Sequence, residues 1–109
     1  MIRLSVRDRE VVQTLRVDAD KVFVGRSPSN TIVLKEPSAS RKHCMLRVRD
    51  GAVEILDLNS KHGLQINGRA ETRALLSVGD RIGIGTAEIR LEEIETEVAA
   101  LGAFGGYLD

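Results

Sequence analysis

The chain lacks several features on which common functional classes depend. It has a single cysteine, Cys44, so no disulfide can form within it, and a zinc site would need several His or Cys ligands close in space. Tryptophan is absent, and the aromatic residues are two phenylalanines and one tyrosine, too few for a base-stacking platform that binds single-stranded nucleic acid. We therefore expect no bound metal and no cofactor.

The charged residues show no excess of either sign. The 16 basic and 16 acidic residues give a formal net charge of zero, which argues against a general nucleic-acid binder or a membrane-surface binder. No apolar run approaches the ~20 residues of a membrane span, and nothing at the N-terminus resembles a signal peptide. A cytoplasmic location is the resulting expectation. The 109 residues suit one domain, which at this size buries about two-thirds of its unfolded surface.

Short strand-like segments fill the chain up to residue 92. Most of them alternate between apolar and polar side chains, which is the period of a half-buried strand. Asp50-Gly51 and Asn67-Gly68 each favour a two-residue hairpin turn, because both turn positions need positive φ. Many short strands with regularly spaced turns predict an all-β sandwich or barrel. The segments are residues 2–7, 11–17, 22–24, 44–49, 52–55, 64–66, 69–76, 82–84 and 89–91.

The last residues follow a different pattern. Leu91, Ile94, Val98 and Leu101 are spaced 3, 4 and 3, which is typical of one face of a helix. The pattern therefore divides the chain into a β domain over residues 1–92 and a helical tail or linker over residues 93–109. A helix this short is marginal alone and has to pack on this domain, on a second copy, or on a following domain. A homodimer through the tail is one of these alternatives.

The stretch from residue 25 to residue 43 carries the chemistry. Two turn-rich loops flank a short apolar run, and each loop places an arginine, Arg26 or Arg41, beside small hydroxyl residues. The guanidinium presents five donors in a fork that suits phosphate or carboxylate, and serine adds a donor that rotates to fit. If the fold brings the two loops together, they form a small anion site.

These residues, taken with those that follow, resemble the forkhead-associated (FHA) domain. That family's motifs occur here in order, over roughly residues 1–92. The resemblance implies a β-sandwich of about eleven strands with three loops grouped at one end. It also implies recognition of phosphothreonine in an extended peptide, which is a mode of reading phosphate through clustered arginines. The motifs are Gly25-Arg26, Asn30-Thr31-Ile32, Ser40-Arg41-Lys42-His43, Asp57-Leu58-Asn59-Ser60-Lys61-His62-Gly63 and Asn67-Gly68.

The resemblance assigns roles to individual residues. Arg26 and Ser40 would bind the phosphate directly, while Arg41 and Lys61 would add donors around it. Such an arrangement matches a phosphate, which carries about −1.5 to −2 charges at pH 7 and three acceptor oxygens. A structural framing role falls to four residues. They are Gly25, His43, Asn67 and Gly68.

The peptide-binding positions depart from the family pattern at one place. The family's loop asparagine, which holds the peptide backbone next to the phosphothreonine, is His62 here. Ser27 and Asn30 in the first loop complete the predicted peptide-binding set. If His62 faces the ligand, we expect affinity to rise below about pH 6.5, where histidine becomes protonated. The second ionisation of the phosphate, near pH 6, opposes this trend.

Three other interpretations remain beside the phosphothreonine reader. A nucleophile, base and orienting acid can be drawn from Ser40, His43 and Asp57, but no nucleophile elbow or oxyanion loop accompanies them. The runner-up is a scaffold domain that keeps the fold, no longer reads phosphate, and docks or oligomerises through its faces. A third hypothesis is that phosphorylated Thr96 in the acidic tail folds back on the site or bridges to a neighbour. The interpretation that the sequence favours is a non-catalytic phosphothreonine-peptide module.

Overall fold

The computed structural model describes residues 1–95, and within that range the fold is all-β. Eleven strands form two sheets, which confirms the predicted class and the strand number that the FHA resemblance implies. The strands are β1 (Ile2–Asp8), β2 (Val11–Val17), β3 (Lys21–Gly25), β4 (Ile32–Val33), β5 (Cys44–Arg49), β6 (Ala52–Asp57), β7 (Leu64–Ile66), β8 (Arg69–Glu71), β9 (Arg73–Leu76), β10 (Arg81–Ile84) and β11 (Ala87–Ile94).

The two sheets pack face to face around one core. The six-stranded sheet has the order β2-β1-β11-β10-β7-β8, and the five-stranded sheet has the order β4-β3-β5-β6-β9. Alternation places one face of each strand inside: in β1, Ile2, Leu4 and Val6 are buried while the residues between them are partly exposed. Within residues 1–95, no helix has the length and apolar character that a membrane crossing requires.

Both predicted hairpin turns are confirmed. Asp50 and Gly51 have φ of 52° and 77°, and they join β5 to β6. Asn67 and Gly68 have φ of 52° and 87°, and they join β7 to β8. Positive φ at both positions is the geometry of a type I′ turn, whose twist matches that of the flanking strands.

The segment over residues 69–76 is not one continuous strand. The structure breaks it at Thr72 into β8, at the edge of the six-stranded sheet, and β9, at the edge of the five-stranded sheet. The Thr72 carbonyl accepts the Asp57 N–H at 2.8 Å, which holds the crossing point against the end of β6. No turn residue marks the break, so the sequence pattern did not show it.

Strand β11 continues through the position where the apolar spacing predicted the start of a helix. β11 extends to Ile94, so Leu91 and Ile94 belong to a strand, two residues past the predicted boundary at 92. Leu91 pairs with Leu4, and Ile94 pairs with Ile2, with a register shift between them. This bulge adds a residue, Glu92, and so turns both side chains to the core although they are three apart. The rest of the predicted tail lies outside the described residues.

Candidate functional site

Three loops meet at one end of the sandwich. Since β3, β5 and β6 are antiparallel neighbours, the end of β3, the start of β5 and the end of β6 lie at the same end of the five-stranded sheet. The loops at this end are the β3–β4 loop (residues 26–31), the β4–β5 loop (residues 34–43) and the β6–β7 loop (residues 58–63). The topology therefore brings together the segments that carry the residues predicted to bind phosphate and peptide.

Backbone hydrogen bonds join the β3–β4 loop to the β4–β5 loop. The Arg26 N–H donates to the Ser40 carbonyl at 3.0 Å, and the Ser27 N–H donates to the Arg41 carbonyl at 3.1 Å. Gly25 lies beneath this junction, and a Cβ there would stand 2.1 Å from the Arg41 carbonyl oxygen. Only glycine lets the two loops approach this closely.

Asn30 lies under the loops and not at their surface. Its side chain is 8 % exposed, and its amide nitrogen donates to the Ser27 carbonyl at 2.9 Å and the Arg41 carbonyl at 2.7 Å. Both amide hydrogens are thus used to brace the loop backbone. The peptide contact predicted for Asn30 is not tested by this position and stays a prediction.

Arg26 is tethered at one of its nitrogens and open at the others. Its Nε donates to the Ala39 carbonyl oxygen at 2.6 Å, which fixes the direction of the side chain. The residue is exposed, and its guanidinium forms no ion pair with a carboxylate of residues 1–95. The two terminal amino groups therefore remain available to an anion. A tether of this kind reduces the rotamer freedom that is lost on binding.

Ser40 is held at both its backbone and its hydroxyl. The Ser40 N–H donates to Nδ1 of His43 at 2.9 Å. The Ser40 hydroxyl oxygen accepts the Lys61 N–H at 2.9 Å, which ties the β4–β5 loop to the β6–β7 loop. Since the oxygen accepts this bond, the hydroxyl hydrogen is left to donate to a ligand.

His43 joins the same two loops from inside. The ring is 0 % exposed, and Nε2 lies 2.7 Å from the Gly63 carbonyl oxygen. Because Nδ1 accepts the Ser40 N–H, Nε2 must be the nitrogen that carries the hydrogen and donates to Gly63. The neutral Nε2–H tautomer satisfies both bonds, and it gives His43 no route to a ligand.

Asp57 and Ser60 shape the β6–β7 loop. The Asp57 carboxylate accepts the Ser60 N–H at 3.0 Å and the Ser60 hydroxyl at 2.5 Å. The Ser60 hydroxyl oxygen in turn accepts the Gly63 N–H at 2.9 Å. These bonds close the loop on itself and present Lys61 and His62 at its exposed tip.

The nucleophile, base and acid drawn from the sequence do not form a triad. Both ring nitrogens of His43 bond backbone groups, and the Asp57 carboxylate bonds Ser60 and not His43. Cys44 offers no alternative nucleophile, because burial raises the pKa of its thiol to about 12, and the nearby charge of Asp57 adds to the increase.

The remaining predicted ligand positions lie on the surface of the loop cluster. Arg41, Lys61 and His62 are exposed, and Ser27 is partly exposed with its hydroxyl 3.0 Å from that of Ser29. His62 also lines an open cleft of about 650 Å³ that runs beside the loops toward β7 and β8. The surface roles predicted for these residues stay predictions.

Asn67 and Gly68 lie at the far end of β7 from the loop cluster. The Asn67 amide donates to the Asp80 carboxylate at 3.0 Å and accepts the Arg81 N–H at 3.0 Å. These bonds attach the hairpin to the segment between β9 and β10. Hydrogen bonds from the Ser77 backbone and from Asn67 lower the pKa of Asp80 below its usual value.

Glu36 is a site-supporting residue that the sequence pattern did not reveal. It is 6 % exposed, and one oxygen accepts the Ser38 N–H at 3.1 Å and the Ser38 hydroxyl at 2.7 Å. The other oxygen accepts the Thr86 N–H at 3.2 Å and the Thr86 hydroxyl. Hydrogen bonds from Thr86 and Ser38 lower the pKa of Glu36 to about 2. Thr86 is 50 residues away in sequence, so no local pattern could indicate the contact.

The chain belongs to the FHA domain family. The family model for the FHA domain matches residues 22–85, which span all three loops of the site. The chain is 34 % identical to the oxoglutarate dehydrogenase inhibitor of Corynebacterium diphtheriae over 79 residues, covering 72 % of this chain and 54 % of that protein. It spans about half the length of the curated relatives that it matches first.

Solved structures show the same architecture. An FHA domain from Chlamydia trachomatis is similar with a TM-score of 0.78 at 29 % identity, covering 86 % of this chain and 98 % of that one. The FHA domain of FhaA, in a complex with the intracellular domain of Rv3910, is similar with a TM-score of 0.78 at 25 % identity. That likeness covers 84 % of this chain and 100 % of the FhaA domain.

Proposed function

We propose that this chain is a non-catalytic module that binds phosphothreonine in an extended peptide segment of a partner protein. The observation that carries the proposal is the hydrogen bonding of the Ser40 and Arg26 side chains. The side chain of each forms one hydrogen bond within the loop cluster, and each side chain keeps at least one donor that no described residue uses. Donors that are oriented in advance on two joined loops are suited to an anion with several acceptor oxygens.

The phosphate would sit over the junction of the β3–β4 and β4–β5 loops. Arg26 would donate from its terminal amino groups and Ser40 from its hydroxyl, while Arg41 and Lys61 add positive charge around the same position. None of these cations pairs with a carboxylate of residues 1–95, so a bound phosphate does not have to displace an existing partner. A net hydrogen bond to a charged group contributes on the order of 1.5–3 kcal/mol.

The peptide would run across the exposed tips of the loops. Ser27 would lie on one side of the phosphate position, and His62 lies at the exposed tip of the β6–β7 loop with the cleft beside it. An extended peptide on three loops buries little area, so binding would be weak to moderate and transient. Preference for phosphothreonine over phosphoserine would depend on burying one methyl group, which is worth on the order of 1 kcal/mol.

A protein partner is in keeping with the relatives. The FhaA domain is seen in a complex with the intracellular domain of another protein, and the corynebacterial relatives are named as inhibitors of an enzyme. We propose that this chain likewise acts on a partner protein through binding, and that the partner carries a phosphorylated threonine.

The test is a titration of a degenerate phosphothreonine peptide library against the chain, with the unphosphorylated library as the control. The Arg26→Ala variant should lose about tenfold or more in affinity, since it removes charged donors worth on the order of 1.5–3 kcal/mol each. Arg90→Ala is the matched control, because Arg90 is an exposed arginine on β11, away from the three loops. The residues enriched around the phosphothreonine would point to the partner.

Absence of phosphate-dependent binding by the folded wild-type chain would contradict the proposal. It would favour the scaffold interpretation, in which the fold is kept and phosphate is no longer read. His62→Asn is then the informative variant, because it restores the amide that the family pattern places at this position. Recovery of binding in His62→Asn would locate the loss at that residue alone.

A further inference from the structure

The four edge strands of the two sheets differ in how they are protected. β4 has two residues, β8 has three and β9 has four, and very short edge strands offer few backbone groups to another chain. β2 has seven residues, pairs only with β1 among the described strands, and leaves its other side open. Within residues 1–95 it is therefore the one long edge in the fold.

The composition of β2 does not protect this edge. Its sequence, VVQTLRV, contains no lysine and no proline, and Arg16 is its single charged residue. Val11 and Val12 are 57 % and 63 % exposed, although valine is usually buried. Exposed edges in other proteins commonly carry lysine, proline or a bulge, which prevent pairing with another chain.

The hairpin geometry identifies the backbone groups that point outward. β1 and β2 are joined by the two residues Arg9 and Glu10, and Asp8 is paired with Val11 as the closing pair. A two-residue hairpin closes on a hydrogen-bonded pair, so hydrogen-bonded and non-hydrogen-bonded pairs alternate from there. Val12, Thr14 and Arg16 therefore direct their N–H and C=O groups away from β1, toward the open edge.

We propose that β2 is a self-association edge, on which the β2 strand of a second copy of this chain pairs antiparallel about a two-fold axis at Thr14. Thr14 then faces Thr14 of the other copy, and Val12 faces Arg16 in both directions. All three are residues whose backbone groups point outward, so each pair can exchange two hydrogen bonds. The six-stranded sheets of the two copies become one continuous sheet.

The side chains of β2 suit this register. No charged residue within the strand faces another, because Arg16 lies opposite Val12 and diagonal to Glu10 of the other copy. On the inner face, Val11 lies opposite Val17, and the exposed Val11 side chain gains an apolar neighbour. Beyond the strand ends, Glu10 faces Asp18, a like-charged pair that opposes the association, although the N-terminal amino group of the same copy lies 3.9 Å from the Asp18 carboxylate and partly offsets it. An interface of one strand pair is small, so the association is expected to be weak and reversible.

This edge is separate from the loop cluster. No residue of β2 belongs to the three loops that form the candidate site, so pairing leaves both copies able to bind a ligand. The inference stands on the sheet geometry and does not depend on the proposed function.

Cysteine crosslinking of the full chain tests both the pairing and its register. Facing residues in a hydrogen-bonded antiparallel pair have Cα atoms about 5.5 Å apart, within the range that a disulfide spans. Under mild oxidation at about 1 mM chain, where an association with a Kd near that value is well populated, Thr14→Cys should form a covalent dimer. The native Cys44 is fully buried and gives little background.

Val12→Cys is the matched control for random collision. Val12 is also exposed on β2, but in this register the two copies of residue 12 are about 14 Å apart along the strands, too far for a disulfide. Val12→Cys alone and Arg16→Cys alone should stay monomeric, whereas a mixture of the two should crosslink as a heterodimer. Crosslinking of Val12→Cys as fast as Thr14→Cys, or none with Thr14→Cys, would overturn the proposal.

A pair of proline variants tests the same edge without cysteine. The Thr14 N–H points outward, so Thr14→Pro should keep the monomer folded and lower the association constant in sedimentation equilibrium by at least tenfold. Gln13→Pro instead removes a hydrogen bond to β1 and should lower the melting temperature more than Thr14→Pro does. Unchanged self-association in a folded Thr14→Pro chain would also overturn the proposal.

Discussion

At the scale of the residue, Ser40 shows how the loops prepare a ligand-binding group. Its hydroxyl oxygen accepts the Lys61 N–H, and its own N–H is held by His43. The hydroxyl hydrogen is thereby left to donate to a ligand, and little side-chain freedom remains to be lost when an anion binds. The sequence motif identified the serine, but only the structure shows which of its groups are already used.

Replacing Ser40 with alanine should affect binding. We expect Ser40→Ala to weaken phosphothreonine-peptide binding about 10- to 100-fold, because it removes a hydrogen bond to a charged group worth on the order of 1.5–3 kcal/mol. Isothermal titration calorimetry measures the change. Ser77→Ala, an exposed serine in the β9–β10 segment, is the control and should bind as the wild type does. Equal affinities for wild type and Ser40→Ala would remove Ser40 from the phosphate site.

Glu36 should make the free energy of unfolding depend on pH at acidic pH, with stability falling as the pH falls. Its pKa is about 2 in the folded chain, lowered from 4.5 by hydrogen bonds from Thr86 and Ser38. A carboxyl group whose pKa is lower in the folded chain than in the unfolded chain stabilises the fold, and this contribution is fully present above about pH 4.5. That contribution is lost as the pH falls from 4.5 toward 2.

The Glu36→Gln variant isolates this contribution. At pH 6 the variant should have a lower free energy of unfolding than the wild type, because a neutral amide accepts the Ser38 and Thr86 hydrogen bonds less strongly. The difference should shrink between pH 4.5 and pH 2.5, because the Glu36 carboxyl of the unfolded wild-type chain becomes protonated there while that of the folded chain stays largely ionised. Urea unfolding at several pH values measures it, and a difference that is constant with pH would show that the Glu36 charge does not contribute.

At the scale of the element, a turn in one sheet supports a loop attached to the other. Gly85, in the β10–β11 turn, has φ of 58°, and a Cβ there would lie 2.2 Å from the Ser38 hydroxyl oxygen and 2.6 Å from a Glu36 carboxylate oxygen. The β4–β5 loop, which carries Ser40, is thus packed directly on this turn. A side chain at position 85 would displace the Ser38 and Glu36 side chains from their present positions.

Gly85→Ala should therefore destabilise the fold more than an ordinary glycine substitution at positive φ. We expect a loss of about 2 kcal/mol or more in unfolding free energy, from backbone strain and from steric overlap together. Gly79→Ala is the matched control, since Gly79 has φ of 98° but no atom within 4 Å of its added Cβ. Equal losses of unfolding free energy in the two variants would contradict this expectation. They would mean that the Ser38 and Glu36 side chains move away from the added Cβ without an energetic cost.

The elements that the sequence predicts well are those fixed by local residues. Asp50-Gly51 and Asn67-Gly68 need positive φ at both positions, so the dipeptides alone locate the two hairpins. The continuation of β11 to Ile94 could not be predicted in the same way. Its apolar spacing reflects a bulge that forms only when the strand pairs with β1, and the spacing without that partner matches a helix.

At the scale of the whole molecule, the site is a product of topology. Three neighbouring antiparallel strands bring their loops to one end of the sheet. His43 and Ser40 then join loops that are about 20 residues apart in sequence. The family resemblance predicts that these loops meet. It does not predict the support from Glu36 and Thr86, because these residues come together only in the folded sandwich.

The central claim is that the loop cluster binds the phosphate of a phosphothreonine peptide. The most direct measurement is a pair of NMR titrations of the ¹⁵N-labelled chain, one with a phosphothreonine peptide and one with the same peptide unphosphorylated. The account predicts that only the phosphorylated peptide causes large amide shifts, and that they centre on Arg26, Ser40 and Lys61. Equal shifts with both peptides, or shifts centred on the sheet faces with these three amides unmoved, would contradict it.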